Sequence, residues 1–214
     1  MKGNPNFCFR DGKLYTRNLV RGFRVHGEDA FTEKGVEWRN WRPQHSKLAA
    51  AIKKGLKTEI PVGASVLYLG AANGVTPSFV SDLVGHTGIV YCVEFAPRSA
   101  SDLIRVCEQR ENMVPILADA RTPKKYAEVG VVDFVFEDVA DPEQARIMLA
   151  NSCFLGKGGI GMIAVKARCV DSTEDPRRVF ARVESELEDA FEIREKLDIE
   201  PFEADHEFLL LEKK

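Results

Sequence analysis

The stretch Val66-Leu67-Tyr68-Leu69-Gly70-Ala71-Ala72-Asn73-Gly74 decides the fold. An unbroken apolar run ends at a turn with two glycines among small residues. That is the signature of a strand buried on both faces, followed by a tight turn into a helix. The same pattern recurs downstream. Ile89–Val93 ends at Glu94, Val114–Leu117 ends near Asp119, Val131–Phe136 ends at Glu137-Asp138, and Ile160–Val165 ends at Lys166. Helical stretches at 76–84, 98–110, 142–154 and 175–190 lie between or after these runs. In the last, Asp175 serves as N-cap, Pro176 fits the first turn, and Val179, Phe180, Val183 and Leu187 share one stripe. Two further strands, near 191–197 and 207–212, are close enough to pair as an antiparallel hairpin. The pattern predicts an α/β domain of Rossmann-like type with a seven-stranded, mostly parallel sheet.

Upstream of Val66 the pattern changes. Phe7–Phe9, Lys13–Tyr15, Gly22–Val25 and Val36–Trp38 are short strand candidates separated by Asp11-Gly12, Gly27-Glu28-Asp29 and Lys34-Gly35. They predict a small β domain, with Trp38 and Trp41 in its core. Helix 45–56, with Leu48, Ala51, Ile52 and Leu56 inward, links it to the rest. The expected division is 1–57 and 58–214. Charge divides the same way. Residues 1–57 hold 13 Lys and Arg against 5 Asp and Glu; residues 58–214 hold 17 against 28. A basic early segment thus precedes an acidic body, and the formal total is -3. That total argues against tight, unaided nucleic-acid binding.

The chain of 214 residues is 44% apolar and 29% charged, which excludes wholesale disorder. No apolar run approaches the roughly 20 residues of a membrane span. Five cysteines, none in a C-x-x-C pair, argue against a zinc site or disulfide framework and point to a reducing, cytoplasmic setting.

Ligands of open parallel sheets bind outside the carboxyl ends of the strands. Here those ends carry Gly70, Glu94, Asp119, Asp138 and Lys166. The G-x-x-x-G turn lets a ligand approach backbone, but it is not the G-x-G-x-x-G of dinucleotide sites. Glu94 is placed to accept from both ribose hydroxyls, and Asp119 from an exocyclic adenine amine. Together they indicate an adenosine ligand without a pyrophosphate, for which S-adenosylmethionine (SAM) is the natural candidate.

Several of these motifs resemble the fibrillarin family. They are Arg42-Pro43-Gln44-His45-Ser46-Lys47-Leu48-Ala49-Ala50, Val66–Ala72, Val93–Arg98, Phe136-Glu137-Asp138-Val139-Ala140, Gly161–Lys166 and Glu200–His206. The similarity spans essentially the whole chain. Without a Gly/Arg-rich N-terminal tail, the chain resembles the short archaeal form. The resemblance implies a class I SAM-dependent methyltransferase acting on the 2′-hydroxyls of rRNA and tRNA. It also implies a particle with a box C/D guide RNA, a Nop-domain scaffold and a kink-turn-binding subunit akin to a ribosomal protein. Cofactor contacts carry over to Gly70, Val75, Thr76, Glu94, Phe95, Asp119, Ala120 and the loop Asp138, Val139, Ala140, Asp141. Val75 stands where the family has the first of two threonines. Asp141 replaces its glutamine, leaving the backbone to serve there. No metal is implied.

A ribose 2′-hydroxyl is a poor nucleophile, so transfer needs a base and in-line placement. Lys47, Asp138 and Lys166 are the candidate catalytic residues. Lys166 is the better placed base, Asp138 holds an ammonium, and Lys47 orients the hydroxyl or a phosphate. This is similar to the Lys-Asp-Lys core of RNA 2′-O-methyltransferases, whose fourth member is a Glu, here provisionally Glu203. His45 and His206 fit packing or hydrogen-bonding roles better than catalysis. On the residues alone, two rivals stay open: a small-molecule O-methyltransferase, and an assembly subunit that binds SAM without catalysis.

Overall fold

The computed structural model describes residues 3–214. Two sheets are present. Strands β1 (Phe7–Arg10), β2 (Lys13–Arg17), β3 (Ala30–Glu33) and β4 (Val36–Trp41) form an antiparallel sheet ordered β1-β2-β4-β3. A single 3-10 turn leads into α1 (Lys47–Lys53), whose first turn is capped by Ser46 Oγ accepting from the Ala49 amide at 3.3 Å. Then come β5 (Ser65–Leu69), α2 (Val75–Val84), β6 (Ile89–Glu94), α3 (Pro97–Cys107), β7 (Met113–Leu117), β8 (Val132–Glu137), α4 (Gln144–Asn151) and β9 (Leu155–Lys166). After these follow the short α5 (Ala167–Val170), then α6 (Pro176–Leu187), β10 (Phe191–Asp198) and β11 (His206–Lys213).

The main sheet runs β10-β11-β9-β8-β5-β6-β7, with β5 to β9 parallel and β11 antiparallel to both β9 and β10. From β5 the chain winds through β6 to β7, then returns to β8 on the other side of β5. The reversal opens a crevice between the ends of β5 and β8, where Gly70 and Asp138 lie. Every residue of the predicted α6 stripe is buried except Phe180, which is half-buried.

One strand is not where the sequence put it. Gly22–Val25 is a loop, and β3 lies later, at Ala30–Glu33. Phe23 cannot join a ladder, because Asn18 Nδ2 binds its carbonyl at 3.1 Å and its amide donates to the Val20 carbonyl. Phe23 and Val25 pack against the main core instead. The Lys34-Gly35 turn, both residues at positive φ, closes the β3–β4 hairpin.

The small sheet is clamped to α2 by buried charges. Arg39 is fully buried, with Nε donating to Glu28 Oε1 at 2.6 Å, Nη1 to Asp82 Oδ2 at 3.0 Å and Nη2 to Ser78 Oγ at 3.0 Å. Asp82 also accepts from Thr16 Oγ1 at 2.7 Å and from Arg110 Nη1 at 2.7 Å. Burial opposes ionisation of Glu28, yet Arg39 and backbone donors hold it below the usual carboxylate range. Trp41, also buried, stacks on Phe79 of α2 with ring centroids 5.2 Å apart. Arg39 therefore belongs to the interior and takes no part in the basic surface of the early segment. The five cysteines are all free.

Candidate functional site

The crevice is a cavity of about 440 Å³ at the strand ends. Backbone geometry shapes its floor. Gly70 has φ +79°, and a Cβ there would come within 3.0 Å of the Asp138 carbonyl oxygen. Gly74, at φ +84°, starts α2, and a Cβ there would press on Leu103 and Val106 of α3. Both positions need glycine on two counts, conformation and space.

Glu94 is buried and oriented by the turn it faces. Oε2 accepts from the Ala72 amide at 2.8 Å and Oε1 from the Ala96 amide at 2.7 Å. A carboxylate has about four acceptor positions, so two remain for a vicinal diol. Phe95, 65% exposed, projects beside it. Asp119 also lines the cavity, but Arg121 forks onto it, with Nη2 to Oδ2 at 2.7 Å and Nε to Oδ1 at 3.1 Å. That guanidinium holds Asp119 below the usual carboxylate range. Ala120, Val139, Ala140 and Asp141 complete the wall. Val75 and Thr76 do not line it. Thr76 is buried at the start of α2.

The ionic cluster sits on the same wall. Lys166 Nζ lies 2.9 Å from Asp138 Oδ1, and Lys47 Nζ lies 3.6 Å from the same oxygen. Lys47 Nζ is also 3.9 Å from Glu203 Oε1. The four residues come from α1, the β8 end, the β9 end and the segment before β11. Gln144 fixes the loop between them. Its Oε1 accepts from the Lys166 amide at 3.0 Å, and its Nε2 donates to the Asp141 carbonyl at 2.9 Å. His206 pairs in register with Lys166, but its Nδ1 is engaged by the Ala204 carbonyl at 2.6 Å and it does not line the cavity.

Three residues of this neighbourhood carried no readable sequence signal. Arg121 follows Asp119 by two residues, yet its fold-back depends on the loop. Tyr68 reads as one more apolar residue of a strand, yet its hydroxyl lies 3.5 Å from Asp138 Oδ2. Glu137 is fully buried with both carboxyl oxygens unpartnered, and burial pushes it well above the carboxylate range. Among the described residues, no group of three or more His, Cys, Asp or Glu could hold a metal ion. Nor, among the described residues, is any helix long and apolar enough to cross a membrane.

The residues fit SAM on one observation: Glu94, a buried acid with two free acceptor positions, lines the cavity beside Gly70 and Ala72. Comparisons with known proteins agree. The family model described as fibrillarin matches residues 6–214. The fibrillarin-like rRNA/tRNA 2′-O-methyltransferase of Pyrococcus furiosus is 50% identical over 204 residues, covering 94% of this chain and 90% of its own. The structure of Aeropyrum pernix fibrillarin with natively bound SAM superposes with a TM-score of 0.87 at 44% identity, covering 93% of this chain and 88% of its own. A fibrillarin/Nop5p complex gives a TM-score of 0.91 at 36% identity, with 98% of both chains covered.

Proposed function

The chain belongs to the fibrillarin family, and from that premise we infer that it transfers the methyl group of SAM to ribose 2′-hydroxyls of rRNA and tRNA. The observation that carries the mechanism is the Lys166–Asp138–Lys47 array on the wall of the cofactor cavity, with Glu203 Oε1 3.9 Å from Lys47 Nζ. SAM, when bound, supplies an electrophilic methyl on a sulfonium. Gly70, Glu94, Asp119 and the loop from Asp138 to Asp141 hold it. Lys166 is the base. Its nitrogen is held between the carbonyl and carboxylate of Asp138, at 2.8 and 2.9 Å; once the ammonium has released a proton to solvent, the amine takes the proton of the 2′-hydroxyl as the oxygen attacks. Lys47, steadied by Asp138 and Glu203, orients that hydroxyl or its neighbouring phosphate. The catalytic gain is placement plus proton removal, with no metal needed for either.

The target strand has to be brought from outside. The acidic body repels phosphate at long range, and the early basic segment spends part of its charge internally. Arg39 is buried on Glu28 and Asp82, and Arg42 pairs with Asp29 at 2.6 Å. The scaffold is a Nop-domain protein. A box C/D guide RNA, which pairs with the target, and a kink-turn-binding subunit complete the particle. The test is a methylation assay on target RNA with the chain alone and with the three additions. Modification at one guide-specified ribose only in the complete mixture supports the reading. Transfer to small phenolic acceptors without RNA would replace it.

A further inference from the structure

A second cavity, of about 360 Å³, lies between the small sheet and the segment before β11. No role described above uses it. Its walls include Lys13, Lys53, Arg42 and Gln44, all exposed, with Trp41 and the half-buried Phe202 below. Two of the three cations are already positioned. Arg42 pairs with Asp29, and Lys53 Nζ is hydrogen-bonded to the Gly12 carbonyl. Lys13 has no ion-pair partner among the described residues. With Asp29 as the single lining carboxylate, the cavity keeps a surplus of positive charge on a molecule whose formal total is -3.

The cavity also adjoins the reacting centre. Phe202 immediately precedes Glu203, whose carboxylate lies 3.9 Å from Lys47 Nζ. Gln44 precedes Lys47 by three residues, which even fully extended chain would span in about 11 Å. A strand with one ribose at Lys166 and Lys47 can therefore reach this cavity within two nucleotides. Cations at the rim suit a phosphodiester, the group that a guide-paired strand still presents.

We propose that this cavity is a substrate subsite: it holds the backbone flanking the methylated ribose, with one phosphate on Lys13 and Lys53. The subsite rests on the RNA-methyltransferase reading, and its test is read by binding, which needs no turnover. The assembled particle, loaded with S-adenosylhomocysteine, is titrated with a fluorescent substrate strand and followed by anisotropy. Single neutral methylphosphonate linkages are placed one at a time within two nucleotides of the target. One linkage should weaken binding about 10-fold with the natural chain and less than about 2-fold with the Lys13→Gln, Lys53→Gln variant. The variant should also lower the salt slope by about 2. Lys13→Gln alone, at an exposed position, should give about half of both effects and guards against misassembly of the double variant. Equal losses at every linkage with both proteins would overturn the subsite, as would variants that bind RNA normally but release the scaffold. Wild-type methylation of the unmodified strand, measured in parallel, reports on the underlying reading separately.

Discussion

Lys166 Nζ is gripped twice by one residue, at 2.9 Å from Asp138 Oδ1 and 2.8 Å from the Asp138 carbonyl oxygen. The same Asp138 carbonyl lies where a Cβ on Gly70 would collide. The base and the cofactor floor are thus built on a single peptide unit.

Lys166→Ala should slow methyl transfer by about 10²–10⁴-fold, the range of a positioned acid–base group, with SAM affinity almost unchanged. Asp138→Ala should cut the rate and also weaken SAM, because its loop serves both. Single-turnover kinetics with calorimetry on the same variants separates the two. A wild-type rate in Lys166→Ala would place the base elsewhere.

Glu94→Ala should weaken SAM by about 1–3 kcal/mol, the loss of a charged hydrogen-bonding partner. The Ala72 and Ala96 amides would lose their acceptor as well, so the turn should loosen. Isothermal calorimetry reads the affinity. No change would remove the ribose assignment.

The buried clamp should matter for stability and not for chemistry. Removing one member of a buried ionic network leaves an uncompensated charge, at a cost of about 3–5 kcal/mol. Arg39→Met should therefore lower the denaturation midpoint sharply, while the remaining folded fraction binds SAM normally. A variant as stable as wild type would mean the small sheet is held by Trp41 and its apolar neighbours alone.

Glu207 gives a pH signature. Burial and the adjacent Glu184 carboxyl push it up to about 7, from an ordinary 4.5. The folded chain then holds a proton that the unfolded chain releases. The resulting stability is fully present below about 4.5 and lost as pH rises through about 7. Glu207→Gln should raise the melting temperature at pH 8 by about 2–4 °C, one kcal/mol at this length, with the gain vanishing at pH 5. A gain of equal size at both pH values would exclude titration of Glu207 as the cause.

The parallel sheet was legible because β5, β6 and β8 are buried on both faces and so read as unbroken apolar runs. Their ends fall at polar or glycine residues, which made Gly70, Glu94 and Asp138 visible. Within the ionic array Asp138 and Lys166 were legible as strand ends, whereas Lys47 and Glu203 came only through motif resemblance, since they lie far from both in sequence. β3 was hidden because Ala30-Phe31-Thr32-Glu33 shows no full alternation, though the Lys34-Gly35 turn required a strand before it. Arg39 illustrates the opposite failure. Its charge suggests a surface, and only the fold reveals Glu28 and Asp82 around it.

The most direct measurement of the central claim compares the chain alone with the assembled particle. Both are saturated with SAM, given the same target RNA, and scored for 2′-O-methylation at each ribose. The chain alone should bind SAM yet methylate RNA poorly, and the complete particle should modify the one ribose its guide selects. Charge reversal at Arg42 and Lys53 should then reduce RNA engagement and leave SAM affinity intact. Efficient, site-specific methylation of naked RNA by the isolated chain would contradict the account and make it a stand-alone enzyme.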